Sequence, residues 1–292
     1  MAENPVLKSF GQQSLTESER QELEGLDWSQ LGVSAGYIIF ITGRCGSTWL
    51  THLLEDSGMC GAPHEFFNET SLPFYNESIR ADSFNKYFVD IVQKYSSGGR
   101  FGFEINVDRV HNLNSIIDLK WLLPRDAVTY FWMTRQDIIS QAFSFARAKQ
   151  SGHWHDYRTY SVGKPAESLS VGAVDIWREV LLILRQERNF QKFAQESNIS
   201  PIPLNYEQMV SDKRMTVMLV MTALRCDAKS AADFLLKVDD KTKRLETGQK
   251  YEILTEFLAK YGETIIDLLC ARDTMTPDQL LAKLESRHGI VV

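Results

Sequence analysis

At 292 residues, 43% of them hydrophobic and 24% charged, the chain has the make-up of a globular protein, long enough for one large α/β domain or two smaller ones. The formal net charge of −6 excludes the broad basic footprint of a nucleic-acid binder, so an anionic ligand must be held by a local cluster of cations against an unfavourable overall field. Cys45, Cys60, Cys226 and Cys270 show no CxxC spacing and read as reduced thiols, not as a zinc site or a disulfide framework.

Residues 1–35 are polar and read as a peripheral N-terminal arm, lacking the cationic start and apolar core of a signal peptide. Within the arm, 14–26 fits a short helix in which Ser14 and Glu17 are spaced as a capping box. Residues 36–292 are read as a single domain. An apolar run at 37–41 has strand character, passes into a glycine-containing turn and is followed by helical spacing over 49–55. Residues 58–76 are rich in turn formers and read as a loop; a helix follows near 83–95 and is ended by Ser96-Ser97-Gly98-Gly99. The stretch 101–107, FGFEINV, alternates as a strand, and 114–123 reads as a helix stopped by Pro124. A second buried strand, 127–133, runs into Thr134-Arg135 and a helix over 137–150. Residues 173–197 keep a helical period, 202–206 form a short strand, 238–250 a charged patch and 251–292 mostly helix. Strands alternating with helices predict an α/β fold around a central, mainly parallel sheet, with additional peripheral helices. The longest apolar runs are of strand length, so no integral membrane segment is expected; with the reduced cysteines this predicts a cytoplasmic protein.

The segment 36–49, GYIIFITGRCGSTW, carries the chemistry. A strand that ends in a turn with Gly43 and Gly46, beside Arg44 and the hydroxyls of Ser47 and Thr48, and then opens a helix, assembles an anion site. Backbone N–H groups point into such a loop and the helix dipole favours negative charge there, which points to a phosphate or sulfate ester. The GxxxxGK[ST] motif of nucleotide hydrolases sets Lys directly before the hydroxyl residue. Here Gly46 precedes Ser47 and the cation is Arg44, so the motif does not support ATP or GTP hydrolysis.

The pattern basic-x-Gly-[Ser/Thr]-Thr-Trp after a strand resembles the 5′-phosphosulfate loop of sulfotransferases that use 3′-phosphoadenosine 5′-phosphosulfate (PAPS). The resemblance is to the bacterial carbohydrate members typified by trehalose 2-sulfotransferase, in which Arg is common at the position of Arg44. Three further elements match in the same order, over residues 37–210. Gly61-Ala62-Pro63-His64-Glu65-Phe66-Phe67 is similar to the family's Gly-x-Pro-x-Glu-Phe-Phe. The strand ending in Arg135, with Gln141, Ser144, Arg147 and Trp154 beyond it, is similar to the family's Arg…Gln-Ala-x-Ser…Arg-Ala…Gln-x-Gly-x-Trp. Leu204-Asn205-Tyr206-Glu207 is similar to a Tyr-Glu element after a later strand.

The resemblance implies a P-loop-like three-layer α/β/α fold and in-line transfer of the sulfuryl group from PAPS to an acceptor hydroxyl, leaving 3′-phosphoadenosine 5′-phosphate (PAP). It implies Glu65 as general base and Arg44 as the charge that stabilises the transferring group. Arg44, Cys45, Gly46, Ser47 and Thr48 would hold the 5′ end, Trp49 and Tyr206 the adenine, and Arg135 with Ser144 the 3′-phosphate. Ser140, one helical turn before Ser144, is the alternative to it. Arg244, in a basic C-terminal segment, would close over the donor. His64, Phe66, Arg147, His153, Trp154 and His155 are assigned to the small-molecule or carbohydrate acceptor. No metal is required, because Arg and helix amides supply the positive charge, and a homodimer is what some relatives suggest. Three residues depart from the pattern: Cys45 replaces a frequent Ser, Trp49 is more typical of cytosolic members, and Glu104 stands where relatives often carry Lys. An atypical nucleotide kinase and a catalytically inactive nucleotide-binding module are the competing readings, the latter kept open by Glu104.

Overall fold

The computed structural model describes residues 4–152, 154, 171–238, 248–272 and 274–288. The N-terminal segment forms α1 (Pro5–Lys8) and α2 (Glu17–Glu24). The capping box lies two residues later than expected. Thr16, not Ser14, accepts from the Glu19 N–H, and the Glu19 carboxylate accepts from the Thr16 N–H at 2.7 Å. Asn85 Nδ2 donates to the Glu19 carbonyl at 2.8 Å, and Leu23 is buried, which fixes α2 against the helix that carries Asn85.

The apolar run becomes β1 (Ala35–Ile41), followed by α3 (Ser47–Asp56), α4 (Leu72–Ile79), α5 (Phe84–Tyr95) and β2 (Arg100–Asn106). Next come α6 (Val107–Ile116), a 3-10 turn at Leu119–Trp121, β3 (Val128–Thr134), α7 (Ile138–Ser151) and α8 (Ala173–Glu196). The chain continues through β4 (Ile202–Asn205), α9 (Tyr206–Ser211), α10 (Lys213–Ala223), α11 (Ala228–Leu235), α12 (Gly248–Arg272) and α13 (Pro277–His288). Two stretches differ from the sequence reading. The helix expected at 114–123 begins at Val107, because Asn106 at the strand end caps it by accepting from the Asp108 N–H at 3.0 Å. The expected loop 58–76 gives way at Leu72 to α4, whose Leu72 and Tyr75 are buried.

The predicted α/β class is what the chain adopts: a four-stranded, all-parallel sheet in the order β2-β1-β3-β4. β1 is buried on both faces, which is why its sequence is continuously apolar and does not alternate. Tyr37 on β1 pairs in register with Gly102 on β2, and its hydroxyl donates to the Cys60 carbonyl at 2.8 Å. A Cβ at Gly102 would stand 2.4 Å from Tyr37 Cε1 and Cζ, so the strand needs glycine there.

Two compact units emerge from the contacts. The first comprises Met1–Ile41, Gly46–Thr134 and Ile199–Asp240 and contains the sheet, with a core rich in phenylalanine: Phe66, Phe67, Phe84, Phe88, Phe101 and Phe103. The second comprises Thr42–Cys45, Arg135–Asn198 and Lys241–Val292. In it α7, α8, α12 and α13 pack around Ile138, Trp177, Leu184, Phe257, Ile265 and Leu268. Among the described residues no helix is long and apolar enough to cross a membrane.

The contact between Gly102 and Tyr37 is testable. Gly102→Ala should cost about 1–3 kcal/mol, because a fully buried, hydrogen-bonded tyrosine has no room to move aside. Urea titration should show an earlier midpoint with an unchanged slope.

Candidate active site

All four strands finish at one edge of the sheet: Ile41 is in register with Asn106 and Met133, and Thr134 with Asn205. Within the first unit α3, α6 and α9 begin shortly after β1, β2 and β4, so their N-termini collect at the edge where ligands bind in open parallel sheets. The turn of 42–46 leaves β1 there, and Arg135 follows the last residue of β3.

In the second unit, the turn after β1 is fixed by glutamines that sequence reasoning did not single out for a role. Gln141 Nε2 donates hydrogen bonds of 2.8 Å to both Thr42 Oγ1 and the Gly43 carbonyl. The Gly43 N–H donates to Gln186 Oε1 of α8 at 3.3 Å. Gln141 and Gln186 are both buried, so these bonds form out of water. The next residue, Arg44, adopts the left-handed conformation with φ of 63°, which an L-residue holds at a cost of about 1–2 kcal/mol. This strained turn directs Arg44 Nε onto Ser144 Oγ at 3.0 Å, and Nη1 onto the Trp154 carbonyl. Two residues matched to the donor site, Arg44 and Ser144, thus touch directly. Cys45 is fully buried.

Arg135 is positioned by a further pair. Arg272 of α12 forks onto Glu187 of α8, with Nη2–Oε1 at 2.7 Å and Nη1–Oε2 at 3.1 Å, and its Nη2 also donates to the Arg135 carbonyl at 3.0 Å. Both side chains are nearly buried, 13% and 11% exposed, so each charge depends on the other. Their 85-residue separation offers no local signal from which the pair could be read. Ser140 sits at the start of α7, where its N–H donates to the capping Asp137 carboxylate at 2.9 Å. Arg147 lies further along α7, partly buried, and Trp154 is 40% exposed with its ring edge against Phe145. His153, His155 and Arg244 lie outside the described residues.

In the first unit, α3 opens at Gly46, with φ of 95° and no side chain capping the helix. A Cβ at Gly46 would lie 2.3 Å from Tyr206 Cδ2, so the tyrosine ring rests directly on the backbone of the loop. Ser47 and Thr48 occupy the first helical turn, and the Thr48 carbonyl accepts from Thr51 Oγ1 at 3.0 Å. Trp49 is partly buried; the Nζ of Lys213, a residue only 4% exposed, stands 4.5 Å from its ring centroid. Sequence reading did not find Lys213, because it reaches Trp49 only through the packing of α10 on α3.

The loop before α4 separates two adjacent candidates. His64 points inward: it is 5% exposed, stacked on Tyr75, with Nε2 3.2 Å from Glu55 Oε2. Phe66 is fully buried between Tyr75, Tyr95 and Phe101. Glu65 is partly buried, and its carboxylate accepts from Asn68 Nδ2. Burial pushes the Glu65 carboxyl above the ordinary carboxylate range; the Asn68 hydrogen bond and the charge of Arg109 oppose this, while Glu69 adds to it. Arg109 is itself forked onto Glu69 at 2.8 and 2.9 Å. Glu104 is 5% exposed, and its N–H donates to the His64 carbonyl at 3.2 Å, so the charge reversal lies inside the sheet edge next to this loop.

Residues 36–96 and 122–251 match the family described as Stf0 sulphotransferase. The chain belongs to that family. It is therefore a sulfotransferase, an enzyme that transfers sulfate to a small-molecule acceptor, and the matched segments include the loop of Arg44, Glu65, α7 and Tyr206. No individual curated protein matches the chain.

The sulfotransferase's buried Arg272–Glu187 pair gives a stability test. Arg272→Ala should cost about 3–5 kcal/mol by stranding Glu187, whereas Arg272→Met combined with Glu187→Leu should recover most of that loss. Equal destabilisation of the single and double variants in chemical denaturation would show that the charges are not coupled.

Proposed function

We propose that this sulfotransferase takes the sulfuryl group from PAPS and delivers it, by in-line displacement, to a hydroxyl of a carbohydrate or glycolipid-type acceptor. The observation that carries the reading is the turn at Arg44: a strained, left-handed arginine bonded to Ser144, three residues before a helix whose cap is the side-chain-less Gly46. A fixed cation and the amides of a helix N-terminus suit an anionic ester, and hydroxyl, guanidinium and amide donors together fit a nucleotide carrying phosphate at both ends.

When bound, PAPS supplies a sulfuryl group already activated by a phosphate leaving group. Glu65 accepts the proton of the attacking hydroxyl; its raised pKa brings it closer to the range in which a carboxylate is an effective base. Arg44 and the amides at 46–48 neutralise the negative charge that grows on the bridging oxygen. Arg135 and Ser144 hold the 3′-phosphate, with Ser140 one turn away, and thereby distinguish the donor from ATP. Trp49 and Tyr206 flank the adenine. Trp154 and Arg147 are assigned to the acceptor side, and Arg244, with His153 and His155, keeps its sequence-based role in donor closure or acceptor binding. The homodimer and a cytoplasmic setting belong to the same proposal.

Thermal shift tests the donor. PAP at ~100 times its dissociation constant should stabilise the protein by about 2.7 kcal/mol. ADP and ATP should give less, and Arg135→Ala should abolish the PAP response while leaving the unliganded melting temperature nearly unchanged. Preference for ATP would support a kinase instead, and silence to every nucleotide would reject the site.

Turnover tests the base. Glu65→Gln should lower kcat by about 10²–10⁴-fold with little change in PAP affinity. Because the carboxyl must be deprotonated to act, activity should fall as pH drops through its pKa, at a higher pH than for an ordinary glutamate. Arg109→Gln removes a charge that favours the carboxylate and should move this acid limb to still higher pH. An unchanged limb in both variants would take Glu65 out of the role.

A further inference from the structure

Cys60 and Cys226 have no part in the proposed transfer, yet the first unit brings them together across 166 residues of sequence. Their Sγ atoms are 3.7 Å apart, in S–H···S contact. Cys60 is fully buried, and Cys226, in the turn after α10, is partly exposed. Beside them lies Arg100. Its Nε donates to the Leu224 carbonyl at 2.7 Å, its Nη2 to the Arg225 carbonyl at 2.5 Å and its Nη1 to the carbonyls of Gly98 (2.6 Å) and Met59 (3.4 Å). All of these acceptors are neutral carbonyls, so none of them cancels the guanidinium charge next to the thiols.

The two sulfurs are therefore unequal. The hydrogen bond from Cys60, and then the Arg100 charge, hold the Cys226 thiol below the usual range. The same contact and burial hold Cys60 above it. Burial of one sulfur and exposure of the other, with Arg100 alongside, favour the thiolate on Cys226, the sulfur that solvent can reach.

We propose that Cys226 and Cys60 are a hydroperoxide-reactive dithiol that closes to a reversible intramolecular disulfide. The Cys226 thiolate attacks the peroxide oxygen, the O–O bond breaks, and the departing oxygen leaves as water or alcohol after taking up a proton. This makes a sulfenic acid at Cys226. Cys60 then gives up its proton and attacks the Cys226 sulfur. The S–O bond breaks, the hydroxide leaves as water with that proton, and the S–S bond forms. Two thiols are oxidised and one hydroperoxide is reduced. Closure needs the sulfurs to approach to about 2.05 Å. The Cys60 backbone is pinned, since its carbonyl accepts from Tyr37 and the following Gly61 N–H donates to Ser97 Oγ at 2.9 Å. The approach is therefore assigned to rotation of the Cys226 side chain, on a turn that Arg100 also holds, at the far end of the helix whose first residue, Lys213, stands over Trp49.

The test uses the full chain, reduced and then exposed to hydrogen peroxide, denatured in the presence of N-ethylmaleimide to block every remaining thiol, and mapped by non-reducing peptide mass spectrometry. The expected result is a linked Cys60–Cys226 peptide pair and the loss of two thiols per chain, reversed by dithiothreitol, with no covalent dimer. Cys60→Ser should stop the reaction at a Cys226 sulfenic acid that dimedone traps, and Cys226→Ser should leave Cys60 alkylated and unoxidised. Mapping of the wild-type chain needs no variant to fold. If Cys60 and Cys226 are both alkylated while Cys45 or Cys270 is oxidised, or if Cys60 is oxidised as fast in Cys226→Ser as in the wild type, the proposal fails. Neither result depends on PAP binding or on Glu65, so this outcome and the donor-site outcome can be told apart.

Discussion

The arrangement of the sheet and of the loops at its edge depends on the burial of β1. Flanked by β2 and β3 and covered on both faces, it has no polar outer side, and its register with both neighbours brings their carboxyl ends level with its own. Parallel strands that finish together send out their connections at one edge, where helices begin with unsatisfied N–H groups. A shift of one residue in β1 would turn Tyr37 away from Gly102 and destroy the fit that one missing Cβ permits. The sheet therefore sets where the loops start, and the loops set the chemistry.

Conformational precision at the first loop is maintained at some cost in stability. Arg44 is in the left-handed region, and the peptide before it is gripped by buried Gln141 and Gln186. Buried amides stabilise only when their hydrogen bonds are made, so these contacts favour one shape of the turn over alternatives. The Arg272–Glu187 pair does the same for the backbone at Arg135. Each of these devices holds a cation, or the chain next to it, in place without a ligand. That preorganisation lowers the ordering cost of binding an anion.

The loop bearing Glu65 shows how neighbouring residues acquire opposite duties. His64 and Phe66 turn into an aromatic core with Tyr75 and Tyr95, which anchors the loop; Glu65 between them turns toward Asn68. The same aromatic burial that fixes the loop raises the carboxyl's pKa, so packing and acid–base tuning have one cause. Arg109 limits the effect, and its own pairing with Glu69 keeps it from forming a neutralising bridge to Glu65.

Much of the fold was legible in the sequence, because apolar runs at 37–41 and 127–133 and the helical periods at 83–95, 137–150 and 173–197 follow from local burial patterns. The misplaced helix start at Val107 and the unexpected α4 show the limit: a cap such as Asn106 is recognisable only once the end of β2 is known. The ordered residues around Arg44, Glu65, Arg135 and Tyr206 sufficed to identify the sulfotransferase family, since backbone loops and strand ends demand particular residue types at short spacings. Only the tertiary structure decided that Arg44 meets Ser144, that Lys213 covers Trp49, that Arg272 reaches Arg135 and that Cys60 faces Cys226. Those contacts join residues distant in the chain, and a side chain's partner across such a distance is set by packing, which no local pattern of sequence encodes.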